Sequence, residues 1–186
     1  MNNQIQPPEE IFMSFAAPID DQLAQKLFNA FSLAINNHVK KVNLLMYSTG
    51  GYISSGIALY NFLTNIPLEI TTYNCGNIAS IAVIVYLSGK VRKTSTNATF
   101  MFHRTSCSPT IPLGADVMRI RAESAERDDR NTETIWRKHI TMTEDQWNVL
   151  NKTDLVVGAE EAIKIGLASE IADFKLPEST QLFNIA

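Results

Sequence analysis

Between Glu10 and Leu87 the chain alternates short apolar runs with segments whose apolar residues recur every three or four positions. That alternation leaves few folds open. EIFMSFAAPI, from Glu10 to Ile19, has the aromatic and aliphatic content of a first strand. Asp20 is placed to cap a helix in which Leu23, Leu27, Ala30, Phe31, Ala34 and Ile35 share one face, and the Asn36 and Asn37 pair ends it. Lys41 to Tyr47 is nearly continuous in apolar character, as strands buried on both faces are. A second helical pattern, Ile53 to Leu63, stops before Pro67. Leu68 to Cys75 then reads as a strand, Gly76 and Asn77 as a turn, and Ile78 to Leu87 as a buried helix. Strand–helix alternation of this kind predicts an α/β chain with a parallel sheet, and places function at the C-terminal ends of its strands.

The remainder is less regular. Lys90 to Thr96 reads as a polar connection, Ala98 to His103 as a short strand, and Cys107 to Gly114 as a loop holding two prolines. Ala115 to Ile140 carries the longest helical pattern, with Glu123–Arg127, Glu126–Arg130 and Glu133–Arg137 at four-residue spacing. From Glu126 to Thr134 it is polar on every face, so it either projects into solvent or meets a partner of similar polarity. Thr143 and Gln146 match a capping box. Leu155 to Val157 is apolar, Ala159 to Ile165 is helical with Gly166 as its closing glycine, and Leu167 to Ile171 reads as a last strand. A single domain over residues 1–186 is expected, with residues 1–10 as a lead-in and 175–186 as a loose tail.

Charge and cysteine usage exclude several classes. With 16 basic and 19 acidic residues spread along the chain there is no polycationic face for nucleic acid. Cys75 and Cys107 form neither a disulfide framework nor a metal cluster, which fits a reducing, cytoplasmic setting. No apolar run approaches the roughly 18 residues needed to span a bilayer. Motifs of the GxxxxGK[ST], HExxH, CxxC and GxSxG types are absent, so nothing points to an NTPase loop, a metal hydrolase or an α/β-hydrolase elbow.

Serine acyl transfer fares better. Ser80, at the start of an apolar helix, lies beside N–H groups that lack intrahelical partners and could hold an oxyanion; a small core serine would look the same. Acyl transfer would also need a base and a carboxylate to orient it. His38 sits beside Lys40 and Lys41 and His139 beside Lys138, whereas His103 ends an apolar strand. Gly50 and Gly51 follow a strand and precede a helix, as either a donor turn or an ordinary tight turn. Asp154 precedes a short apolar run, as a catalytic carboxylate or a simple cap.

Ser48-Thr49-Gly50-Gly51 between strand and helix, Gly76-Asn77-Ile78-Ala79-Ser80, Met101-Phe102-His103, and Asp154 followed by GAEEA and IGL stand together in the chain. In that order and spacing they resemble the proteolytic subunits of the Clp protease family, over roughly residues 10–173. The resemblance implies a serine endopeptidase with Ser80 as nucleophile, His103 as general base and Asp154 as its orienter. The backbone N–H groups of Gly51 and Ile81 would form the oxyanion hole, with no cofactor and no metal. It further implies the spiral of β-β-α units that this family shares with crotonases, a homo-oligomeric seven-membered ring that can stack in two, and a handle helix at Ala115 to Ile140. Thr49, Tyr52, Ile78 and Arg104-Thr105 depart from the family's usual residues around the peptide, and Thr153 replaces an arginine that links rings. The short lead ahead of Ile11 argues against docking to a Clp-type ATPase. Two other readings share the scaffold: a crotonase-like acyl-CoA enzyme, and a non-catalytic ring subunit that pairs with an active paralogue.

Overall fold

A computed structural model describes residues 8–106 and 110–186. The elements run β1 (Glu10–Ala16), α1 (Asp21–Asn36), β2 (Lys41–Ser48), α2 (Ile53–Leu63), β3 (Glu69–Ala79) and α3 (Ile81–Tyr86). They continue with β4 (Val91–Thr94), β5 (Thr99–Phe102), α4 (Ala115–His139), α5 (Glu144–Leu150), β6 (Leu155–Gly158), α6 (Ala159–Lys164), β7 (Glu170–Ile171) and β8 (Leu182–Asn184). The expected local signals act where the sequence put them. Asp20 accepts the Leu23 N–H at 2.8 Å at the head of α1, and Thr143 and Gln146 close a reciprocal capping box on α5.

Among the described residues the strands form one sheet in the order β6-β5-β3-β2-β1-β8, with β4 and β7 branching from β3. β1, β2, β3, β4 and β5 pair in parallel, and only β6 runs antiparallel, against β5. Alternate residues of β2, namely Val42, Leu44 and Met46, are buried in a core that also takes in residues of α1, α2 and α3. The branch at β3 sets up the site. Its first half, Thr71 to Asn74, pairs with β4, and its second half, Asn77 to Ala79, pairs on with β5. Buried Asn74 spans the change of partner, donating to the Thr99 carbonyl at 2.8 Å and accepting the Gly76 N–H at 3.0 Å. It thereby satisfies backbone groups that the ladder drops there.

Four expectations change. The strand expected to stop at Cys75 continues to Ala79, so Gly76 and Asn77 are strand residues and the following helix begins at Ile81 instead of Ile78. The polar connection of residues 90–96 contains β4, and its Arg92 is held by the carbonyls of Gly89, Gly166 and Leu167. The strand expected from Leu167 shrinks to Glu170–Ile171. Residues 182–184 of the tail are ordered as β8, paired in parallel with β1 from Phe12 to Ser14. Within the expected 107–114 loop, residues 107–109 lie outside the described residues.

Helix α4 has two halves. Only Thr132 and Trp136 are buried, both towards its C-terminal end. Its first turns are solvent-exposed all round, including Val117, Met118 and Ile120. The polar segment is therefore flanked by an exposed apolar patch that nothing among the described residues covers. Ion pairs join Glu126 to Arg130 and Glu133 to Arg137, but among the described residues none joins Glu123 to Arg127.

Candidate active site

Ser80 stands at the corner where β3 ends and α3 begins. Its φ of 57° and ψ of −132° lie in a region that residues with a Cβ rarely enter. Such a conformation costs on the order of 1–3 kcal/mol and persists only when the surroundings fix it. Here the Ser80 N–H donates to the Met101 carbonyl at 2.7 Å and the Ser80 carbonyl accepts from Val83 at 3.0 Å. Gly50, at φ 96°, packs against the corner so closely that a Cβ there would lie 2.6 Å from the Ser80 Cβ. Only glycine leaves room.

Two residues beyond Met101, His103 leaves the end of β5. Its Nε2 is 2.7 Å from the Ser80 Oγ. The two groups expected to act together are thus in direct hydrogen-bond contact, across 23 residues of chain.

Gly51 faces the same corner. The Ile19 N–H donates to the Gly50 carbonyl at 2.8 Å and the Tyr52 N–H to the Ile19 carbonyl at 2.7 Å. Because neighbours on either side of Gly51 make this bridge, its own N–H points away from Ile19. Ile81 is the first residue of α3, where N–H groups have no partner one turn earlier.

Asp154 is exposed at the head of β6, and among the described residues no hydrogen bond joins it to His103. Its place in the sheet is informative all the same. Phe102 pairs with Leu155 in the antiparallel β5–β6 ladder, so the next step of the register sets His103 opposite Asp154. Facing residues on such strands lie roughly 4.5–5.5 Å apart.

Residues that the sequence did not single out as a group secure the histidine's end of the site. Arg104 donates to the Asn151 Oδ1 at 2.6 and 3.1 Å and pairs with Glu133 at 2.7 Å. The Thr105 N–H donates to Asp129 at 2.7 Å. Burial works against the Glu133 charge, but hydrogen bonds from Arg104 and Arg137 hold its carboxyl below the ordinary range. The Glu133–Arg137 spacing was visible in the sequence; the reach of Arg104 across to α4 and α5 had no signal.

A cavity of about 110 Å³ opens beside Ser80, with Ile53, Ile81, Thr132 and Trp136 among its walls. Tyr52 and Ile78, which depart from the family's usual residues, do not line it. Tyr52 is exposed, and Ile78 is fully buried in the core. The buried Trp136 indole N–H has no partner among the described residues. No group of three or more histidine, cysteine or acidic residues among the described residues could hold a metal, and no helix among them is long and apolar enough to cross a membrane.

The family model for Clp protease matches residues 5–175. The chain belongs to the Clp protease family. Among curated relatives it is 25% identical, over 138 residues, to the ATP-dependent Clp protease proteolytic subunit 1 of Corynebacterium glutamicum. That match takes in 73% of this chain and 66% of the relative, just under two thirds of its length. It is 26% identical over 165 residues to proteolytic subunit 2 of Corynebacterium efficiens, covering 87% of this chain and 82% of that one. The solved structure of a point mutant of ClpP1 from Listeria monocytogenes superposes with a TM-score of 0.74 over 90% of this chain and 92% of that chain, at 18% identity. The likeness shows that this chain has the Clp protease fold.

Proposed function

We propose that this member of the Clp protease family is a serine endopeptidase that hydrolyses peptides or unfolded polypeptides. The contact between Ser80 Oγ and His103 Nε2 at 2.7 Å, on a strained corner, carries the reading. His103 Nε2 takes the Ser80 proton as Oγ attacks the scissile carbonyl carbon. The oxyanion is received by the N–H groups of Gly51 and Ile81. His103 then returns the proton to the departing amine, leaving an ester on Ser80. Water, deprotonated by the same nitrogen, releases the acid. Asp154, opposite His103 in the ladder, supplies the orienting carboxylate once its side chain turns towards Nδ1.

The chain acts as a homo-oligomeric ring in a reducing, cytoplasmic compartment, with α4 as the contact between rings. The cavity beside Ser80 has room for only a few water-sized groups, which favours small side chains next to the scissile bond. Wild type should release a fluorophore from a short peptide and be labelled at Ser80 by a fluorophosphonate; Ser80→Ala should do neither. Equal turnover by the two proteins would overturn the assignment. An unlabelled, inactive wild type in its purified ring would point to the non-catalytic subunit instead.

A further inference from the structure

A second cavity lies away from Ser80 and shares no lining residue with the first. The end of α2, the start of β3, the end of α3, β4 and the last residue of α4 enclose about 200 Å³. Leu63, Ile66, Leu68 and Leu87 make an apolar wall, and Lys90, Arg92 and His139 are the titratable groups among the lining residues.

What sets this cavity apart is positive charge without a carboxylate. Among the described residues several basic side chains have acidic partners, as in Lys93–Glu170, Arg104–Glu133 and Arg137–Glu133. Here the Arg92 guanidinium gives its N–H groups to three backbone carbonyls, at 2.8 to 3.2 Å. His139 Nε2 meets the Tyr60 hydroxyl at 2.8 Å. Neither Lys90 nor Arg92 forms an ion pair among the described residues. Glu69, the nearest acid in sequence, alternates to the other face of β3 from Leu68 and Ile70 and is exposed. Burial, with the Arg92 and Lys138 charges, holds His139 below its ordinary value. The Arg92 charge thus bears on His139 with no acid beside it among the described residues, and an anion there would be favoured by Arg92 together with the exposed Lys90.

We propose that this cavity binds a small carboxylate carrying a short apolar tail. The tail lies against Leu63, Ile66, Leu68 and Leu87, and the carboxylate meets Lys90 and the rim of Arg92 and His139. The volume gives room for several water-sized groups, enough for a chain of a few carbons. Two sources present this chemistry: a short fatty acid, and the C-terminal residue of a released peptide. The site stands whether or not Ser80 is a nucleophile.

Calorimetric titration of the assembled Ser80→Ala protein tests it, because that background prevents turnover from contributing heat. Hexanoate or N-acetyl-leucine should bind, and hexanamide, which keeps the tail and lacks the charge, should bind at least about tenfold more weakly. Lys90 is exposed, so Lys90→Gln should leave the fold intact and weaken the acids several-fold. Ile66→Phe should abolish binding by filling the tail's space. Preference for N-acetyl-leucine over hexanoate would identify peptide ends as the source, and the reverse a fatty acid. No binding of either acid at millimolar concentration, equal affinity for hexanamide, or an unchanged affinity in Lys90→Gln would each overturn the proposal.

Discussion

At Ser80 a single backbone conformation does two things: it turns the chain from strand to helix and it presents Oγ to His103. The strain is tolerated because neighbours leave no alternative, and Gly50 is the neighbour with least slack. Gly50→Ala would add a Cβ 2.6 Å from that of Ser80, at a φ of 96° unsuited to alanine. Even a displacement of about 1 Å at a nucleophile can cost on the order of 10²-fold in rate. Loss of peptide hydrolysis at that scale, with retained α/β circular dichroism, is the expected result. The sequence pointed to Ser80, His103 and Gly51 but misjudged the corner. Gly76 and Asn77 look like turn formers, yet the demand for pairing with β5, met through Asn74, keeps them extended. Local propensity loses to tertiary hydrogen bonding there.

Elements whose apolar periodicity was strong came out within a residue or two. α1 and α2 are of this kind, because one buried face fixes their period. β4 escaped notice because its buried surface is the stem of Arg92 and Thr94 rather than aliphatic side chains. β8 escaped because its residues remain exposed and its order comes from the β1 backbone, including the Ile185 N–H donated to Ser14 and the Ala16 N–H donated to Ala186. Between elements, the Arg104 clamp ties the end of β5 to α4 and α5. Arg104→Met should lower stability at pH 7 by about 1 kcal/mol, a value kept small by solvent screening. Because the folded carboxyl of Glu133 titrates below its ordinary value of 4.5, the ion-pair contribution is complete above that value and disappears as pH falls through the lower folded one. Denaturation midpoints of wild type and variant should therefore converge on acidification. A constant gap down to strongly acidic pH would assign the effect to packing.

For the whole molecule, the exposed Val117, Met118 and Ile120 on the projecting part of α4 are the clearest sign that one chain is not the working unit. Sedimentation at neutral pH should give a species several times the 20.7 kDa of the chain. Met118→Glu with Ile120→Glu should lower that mass, since two charges would have to enter an apolar contact. A monomeric wild type would refute the ring. Order in the sheet also offers a gauge of the site that needs no substrate. The amide proton of Ser80 is held by the Met101 carbonyl, two residues before His103. Any fluctuation that parts serine from histidine by separating β3 from β5 must first release that proton to solvent. Its exchange rate with deuterium, followed by mass spectrometry of the peptide containing Ser80, would report how often the Ser80–His103 corner opens in the resting protein and whether assembly slows it.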